Sequence, residues 1–163
     1  MRSLAPLFRV AALILVIDQV TKIFVVHVMN LKERAAIDVF SPYLNLRMAW
    51  NEGINFGIPL GSQWVLIAIA LVICVWVIVW MYKEQPGRGA LIAAGLIVGG
   101  AIGNVIDRVA YGAVADFLNM SCCGFENPWS FNVADISIFA GAIGLIFLTG
   151  GKEGKSDTPE QSS

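Results

Sequence analysis

Charge is scarce in this chain. Of its 163 residues only 14% are Asp, Glu, Lys or Arg, while 57% are hydrophobic. A soluble domain carries about 25% charged residues. The deficit excludes an ordinary water-soluble globule and leaves an integral membrane protein, of a length that suits one bundle. Neither sign of charge dominates. Lys and Arg number 11 against 12 Asp and Glu, so the net charge of −1 leaves no basic footprint for nucleic acid. Histidine is nearly missing: one copy, His27, cannot make an HExxH zinc site. Cysteine is limited to three. Cys74 lies inside an apolar run and reads as packing. Cys122 and Cys123 are adjacent, bridge only with strain, and lack the partners of a zinc site. They read as plain loop thiols, with a redox or metal role as the rival reading. No GxSxG nucleophile elbow is present.

What the chain has in quantity is long apolar runs. Four of them predict transmembrane helices over residues 7–28, 64–82, 90–109 and 135–149. The first spans about 33 Å at 1.5 Å per residue, enough to cross a bilayer. Its basic start resembles a signal peptide, but no A-x-A site follows, and the apolar run resumes after Asp18 and Lys22. The second run has no charge and carries Trp64 and Trp80 near its ends, as interfacial belts do. The third repeats Gly95, Gly99 and Gly103 every four residues, which allows another helix close approach. The expected fold is therefore a membrane all-α protein, a four-transmembrane-helix bundle forming one domain over residues 1–150. Residues 151–163 are polar and small and are expected to be a disordered tail.

Two polar stretches separate the runs. In residues 30–63, Leu44, Leu46, Met48 and Trp50 alternate with polar or small neighbours, which predicts a strand with one apolar face. Val39–Phe40 can pair with it across Ser41-Pro42. Glycines 53, 57 and 61 then break regular structure. The second stretch, residues 110–133, contains no lysine or arginine and reads as a loop. Basic residues mark orientation. Arg2, Arg9, Lys83, Arg88, Lys152 and Lys155 flank one side, and only Lys32, Arg34 and Arg47 lie in the long loops opposite. The positive-inside rule puts both termini in the cytoplasm and the polar stretches outside.

Ionisable residues beside membrane segments are costly and are functional candidates by default. Asp116 follows the third run and Asp135 opens the fourth, so two carboxylates flank one loop. Converging carboxylates can share a proton, one as acid and one as base. Asp18, Thr21 and Lys22 share a helix face, as do Asn104, Asp107 and Arg108. The Asp18–Lys22 pair reads either as a self-neutralising ion pair or as a scaffold for a site. A serine–lysine pair joining Lys22 to Ser121, Ser130 or Ser137 is weaker, because Asp18 one turn away keeps Lys22 charged. A reading from another class is a small transporter or lipid-binding protein with an acidic proton relay. A relay would leave ionisable groups through the depth of the bundle, whereas the second run has none.

Five motifs make the sequence recognisable: DQVTK at residues 18–22, NEG at 51–53, GNVIDR at 103–108, VADF at 114–117 and FNVAD at 131–135. In this order they resemble lipoprotein signal peptidase (signal peptidase II), the bacterial aspartic peptidase of prolipoproteins. The resemblance implies that Asp116 and Asp135 are the catalytic dyad. It implies that Asp18, Lys22, Asn51, Asn104, Arg108 and Asn132 build or support the site, with Gly53, Asp107 and Ala134 inside the same motifs. It further implies a diacylglyceryl-prolipoprotein substrate held among membrane lipids, cleavage before the lipidated cysteine, no metal or other cofactor, a monomer, and a bacterial inner-membrane location with the site at the periplasmic surface. Where the family usually has two alanines after the glycine, this chain has Ile54 and Asn55. Where it often has serine after the second aspartate, this chain has Ile136.

Overall fold

The computed structural model describes residues 3–53 and 63–149. The expectations for glycines 57 and 61, for Ile54 and Asn55, and for the tail at 151–163 lie outside these residues.

Helix α1, Ala5–Lys22, carries Pro6 in its first turn, where a missing N–H costs nothing. It continues without a break into a wider π-helical turn, Ile23–Val28, closed by Met29 N–H donating to Phe24 O at 2.8 Å. Asn30, in the left-handed region at φ 56°, then turns the chain into the single-turn helix α2, Leu31–Arg34. Strands β1 (Ala36–Phe40) and β2 (Leu44–Asn51) form an antiparallel hairpin, as the alternation predicts. Helix α3 covers Gln63–Glu84 and α4 covers Arg88–Tyr111. After Gly112, at φ 78°, strand β3 (Val114–Asn119) pairs antiparallel with β2 and completes a sheet of order β1-β2-β3. Helix α5 covers Val133–Thr149.

Helix α4 is the centre of the bundle and packs against α1, α3 and α5. Of its most apolar stretch, 56% lies inside the protein, against 22% for α1 and for α3. The close approach is made by glycine. A Cβ on Gly95 would lie 2.6 Å from Leu7 O, and one on Gly99 2.6 Å from Ala11 O, so any side chain there would push α1 away. On the opposite flank a Cβ on Gly100 would meet Ala134 O at 2.5 Å, which seats α5. The sheet lies at one end of this bundle. Its apolar face covers Val25 and Leu31 with Leu46 and Phe117.

Two expectations need correction. The four-transmembrane-helix bundle is matched only in part: among the described residues there are five helices, and three of them, Ala5–Val28, Gln63–Glu84 and Arg88–Tyr111, are long and apolar enough to cross a membrane. Helix α5 has 17 residues, about 25 Å, short of a hydrocarbon core of about 30 Å. The stretch 110–133, expected to be a loop, contains β3. This strand was hidden because it is enclosed on both faces, so VADFLN shows no period-two alternation.

Candidate active site

The polar end of α4 meets the end of α1 in a buried ion cluster. Lys22 Nζ lies 2.8 Å from Asp18 Oδ2 and 2.8 Å from Asp107 Oδ2. All three residues are at least 95% buried. Lys22 is therefore not paired only within its own helix; it ties α1 to α4. The remaining lone pairs are taken up around it. Asp18 Oδ1 accepts the Ala134 N–H at 3.0 Å, and Asp107 Oδ2 accepts the Ala115 N–H at 3.1 Å. Thus one cluster grips the residue before each candidate aspartate, Ala115 for Asp116 and Ala134 for Asp135. Gly103 faces Asp18, and a Cβ there would lie 2.5 Å from Asp18 Oδ2.

The two aspartates arrive by different routes. Asp116 is carried by β3 opposite Ala49 of β2. Phe131 then pairs with Leu118, donating its N–H to Leu118 O at 3.0 Å and accepting the Leu118 N–H at 2.8 Å. That pairing returns the chain beside β3 and delivers Asn132 to Asp116. Asn132 is the N-cap of α5 and Asp135 is the third residue of that helix. Asn132 Oδ1 accepts the Asp135 N–H at 3.0 Å, and Asp135 Oδ2 accepts the Asn132 N–H at 3.3 Å. This is a reciprocal capping box with Asn and Asp in the usual Ser/Thr and Glu places. The remaining amide group of Asn132, Nδ2, donates to Asp116 Oδ1 at 2.6 Å and to Asn104 Oδ1 at 3.2 Å.

Each carboxylate has a second asparagine. Asn104 Nδ2 donates to Asp135 Oδ1 at 2.9 Å, with its own Oδ1 also taking Lys22 Nζ at 3.3 Å. Asn51 Nδ2 donates to Asp116 Oδ2 at 3.0 Å. Asn51 is aimed there because its Oδ1 accepts the Gly53 N–H at 3.0 Å. Gly53 has φ +96°, which only glycine adopts without strain, and a Cβ would strike Leu66. The Asn51–Gly53 pair is thus one device for aiming a donor. Burial first, and then the nearby charge of Asp135, push the Asp116 carboxyl up to about 6, against the pull of the Asn51 and Asn132 amides.

Arg108 donates from Nη1 to Asn104 O at 3.3 Å, while its buried Nε has no hydrogen-bond partner among the described residues. Its charge acts on Asp116, Asp135 and Asp107. Every sequence-predicted site residue is thus at this end of the molecule. The candidate serines are elsewhere occupied: Ser137 Oγ donates to Ala134 O and Leu96 O, Ser130 Oγ to Arg47 O, and Ser121 Oγ accepts the Asn127 N–H. Among the described residues no group of three or more His, Cys, Asp or Glu is arranged to hold a metal ion. Sequence reading missed Gln19, whose Nε2 bridges Asp18 Oδ2 at 3.2 Å, Asp107 Oδ1 at 3.1 Å and Gly103 O at 3.3 Å. A polar residue within an apolar span was the available signal. It also missed Asn119, whose Nδ2 donates to Asn127 O at 2.7 Å and Trp129 O at 2.9 Å and so shapes the segment facing the site. Asp116 opens on a cleft of about 400 Å³ between β2 residues such as Trp50 and Asn51 and the segment Pro128, Trp129 and Ser130.

The arrangement is two carboxyl groups sharing one asparagine, one of them with a raised pKa and opening on a cleft. That set can hold and pass a proton beside an extended chain. The sequence matches the family described as signal peptidase (SPase) II over residues 10–149. It is 41% identical over 141 residues to the lipoprotein signal peptidase of Nitrobacter hamburgensis, covering 82% of this chain and 84% of that one. It is 38% identical over 162 residues to that of Methylobacterium sp. (strain 4-46), covering 96% of each. Two solved structures described as bacterial membrane enzymes superpose with TM-scores of 0.77 and 0.73 at 29% and 28% identity. The first match covers 90% of this chain and 93% of the solved one, the second 93% and 94%. A match that runs from α1 to the end of α5 and takes in the ion cluster and both aspartates leaves one conclusion: the chain is a bacterial membrane protein and belongs to the signal peptidase II family.

Proposed function

We propose that this protein is an aspartic endopeptidase that removes the signal peptide from prolipoproteins carrying a diacylglyceryl group on cysteine, cutting before that cysteine, with Asp116 and Asp135 as its catalytic pair. The observation that carries the reading is Asn132, which hydrogen-bonds both carboxylates at once. Asp116, with its pKa raised to about 6, is the member that holds the proton. Asp135, in the first turn of α5 where the helix dipole favours an anion, takes a proton from water. The water attacks the scissile carbonyl while Asp116 donates to the carbonyl oxygen, giving a gem-diol; as the C–N bond breaks, the proton held by Asp135 passes to the leaving amine and a gem-diol hydroxyl returns its proton to Asp116. Asn51, Asn104 and Asn132 keep both carboxylates oriented throughout. Asp18, Lys22, Asp107 and Arg108 hold the elements that carry them, and the backbone of Ala134 and the bend at Gly53 serve the same end. The acid–base cycle closes on these side chains, so no metal or cofactor enters it.

The setting suits the substrate. One membrane domain with α5 as a fourth, short span keeps the dyad at the bilayer surface, on the periplasmic side with both termini cytoplasmic. The diacyl chains stay in lipid while the peptide bond reaches water. Both carboxylates come from one chain, so a monomer suffices for the proposed chemistry. The buried charges gather at one end of the bundle, as surface chemistry requires and a transmembrane relay does not. The test is a mobility-shift assay of purified protein in detergent with a diacylated prolipoprotein and with its unmodified precursor. Release of a fragment of signal-peptide size from the diacylated form alone is the expected result. No release from either, with EDTA absent, removes the reading.

A further inference from the structure

The end of β2 pairs with the start of β3: Ala49 lies opposite Asp116, Trp50 opposite Ala115 and Asn51 opposite Val114. Side chains alternate between the two faces of a strand. Ala49, Asn51 and Asp116 line the cleft on one face. On the other face Trp50 and Ala115 line a small cavity of about 20 Å³ with Lys22, His27, Asp107 and Tyr111. The cleft is therefore backed by the last turn of α4. Asp107 and Tyr111 are four residues apart and share one side of that helix. Asp107 holds β3, because its Oδ2 accepts the Ala115 N–H at 3.1 Å. Tyr111 holds β2. Its ring centre lies 5.6 Å from that of Trp50 with the planes at 50°, a tilted contact within the range of favourable aromatic pairs. The ring of His27, carried by the π-helical turn, stands 6.5 Å from Tyr111.

Asn51, the next residue after Trp50, depends on this support. Its Nδ2 donates to Asp116 Oδ2 at 3.0 Å. Hydrogen bonds of this kind keep within roughly 2.7–3.2 Å, so a strand end lifted by about 0.5 Å loses the bond. The Gly53 N–H aims the Asn51 side chain, but only relative to its own stretch of backbone. The contact between Trp50 and Tyr111 is what ties that backbone to α4. We infer that Tyr111 is a positioning residue for the peptidase reaction: through Trp50 it holds the end of β2 on α4 and so keeps the Asn51 donor on Asp116. This rests on the peptidase reading above and deepens it. Trp50 borders the cleft as well as the cavity behind it, whereas Tyr111 lines only the cavity, so Tyr111 is the residue that separates positioning from substrate contact.

Loss of the Asn51 donor has a sign in pH. The amide favours the ionised carboxylate, so without it the Asp116 carboxyl goes up further. The charges acting on Asp116 from Asp135 on α5, Lys22 on α1 and Arg108 on α4, and Glu52 in the cleft wall, are all retained when Tyr111 is replaced. The test is kcat/KM against pH for purified full-length protein on a diacylated prolipoprotein. Tyr111→Leu should move the alkaline midpoint up by about one unit, as loss of one hydrogen bond to a carboxylate gives. Tyr111→Phe keeps the ring and should return the midpoint to that of wild type. Trp50→Leu cuts the same contact from β2 and should give the same shift, so the test stands even if Tyr111→Leu does not fold. Asn51→Ala should shift the midpoint likewise, and adding Tyr111→Leu to it should change nothing more. An unshifted midpoint in Tyr111→Leu overturns the inference and leaves the ring an interfacial anchor. A shift that persists in Tyr111→Phe, or that adds to that of Asn51→Ala, overturns it too. So does a shift that vanishes in a His27→Gln background, because it then belongs to the imidazole beside Tyr111. If the wild-type profile is level, losses in kcat/KM that multiply in the double variant overturn the inference. No cleavage by wild type overturns the peptidase reading itself.

Discussion

A pair of carboxylates does acid–base work only if the two differ, and here the difference is local. Asp116 lies on an enclosed strand with two amide donors, while Asp135 sits in the first turn of a helix. In the proposed mechanism each carboxylate has a step that the other cannot take. Asp116→Asn and Asp135→Asn should each lower the cleavage rate by roughly four powers of ten, as for residues that act as a unit, with melting temperatures in detergent within a few degrees of wild type. Near-normal turnover by either variant would end the dyad assignment. The raised pKa of Asp116 gives a direction in pH. As the acid it must be protonated, and its carboxyl loses the proton as pH rises through about 6. The kcat/KM of wild type, which reports the free enzyme, should therefore fall on the alkaline side with a midpoint near that value. A profile level to pH 8 would take the acid role away from Asp116.

At the scale of elements, the site is held by two joints. The capping box of α5 is one of them. Asn132→Ala should cost about 1 kcal/mol of stability, the usual worth of a cap, but a far larger factor in activity, because the same side chain orients Asp116. Equal modest losses in both would mean that Asn132 is only a cap. The other joint is Lys22, the cation between Asp18 on its own helix and Asp107 on α4. Lys22→Met leaves two buried carboxylates facing each other and should cost about 3–5 kcal/mol, read as a lowered melting temperature together with slower cleavage. If melting is unchanged and only turnover drops, Lys22 belongs with the groups that touch substrate.

At the scale of the whole molecule, function depends on which side of the membrane the sheet faces. Cys122 and Cys123 are exposed near the sheet, whereas Cys74 is buried between helices. They serve as built-in reporters of topology. A membrane-impermeant maleimide added to intact spheroplasts should label the Cys122/Cys123 pair, and Cys122→Ser/Cys123→Ser should abolish the label. Labelling that appears only after the membrane is permeabilised would invert the orientation and move the site to the cytoplasmic surface.

The apolar runs determined three long spans to within a few residues, because a helix that crosses lipid must be predominantly apolar over about 20 residues whatever it packs against. The alternation from Leu44 to Trp50 likewise determined β2, since one face of that strand meets the apolar cluster and the other meets polar surroundings. Motif by motif, the chain also carried the identity of its candidate site residues. It did not carry their geometry. β3 was invisible because a strand enclosed on both faces loses its period of two. That Lys22 reaches Asp107, 85 positions along the chain, depends on glycines letting α1 lie against α4. That Asn132 meets both Asp116 and Asp135 depends on Phe131 pairing with Leu118. Local sequence specifies which residues are polar in an apolar setting; only the packed chain decides which of them share a proton, because a hydrogen bond is set by distances of about 3 Å between elements far apart in the sequence.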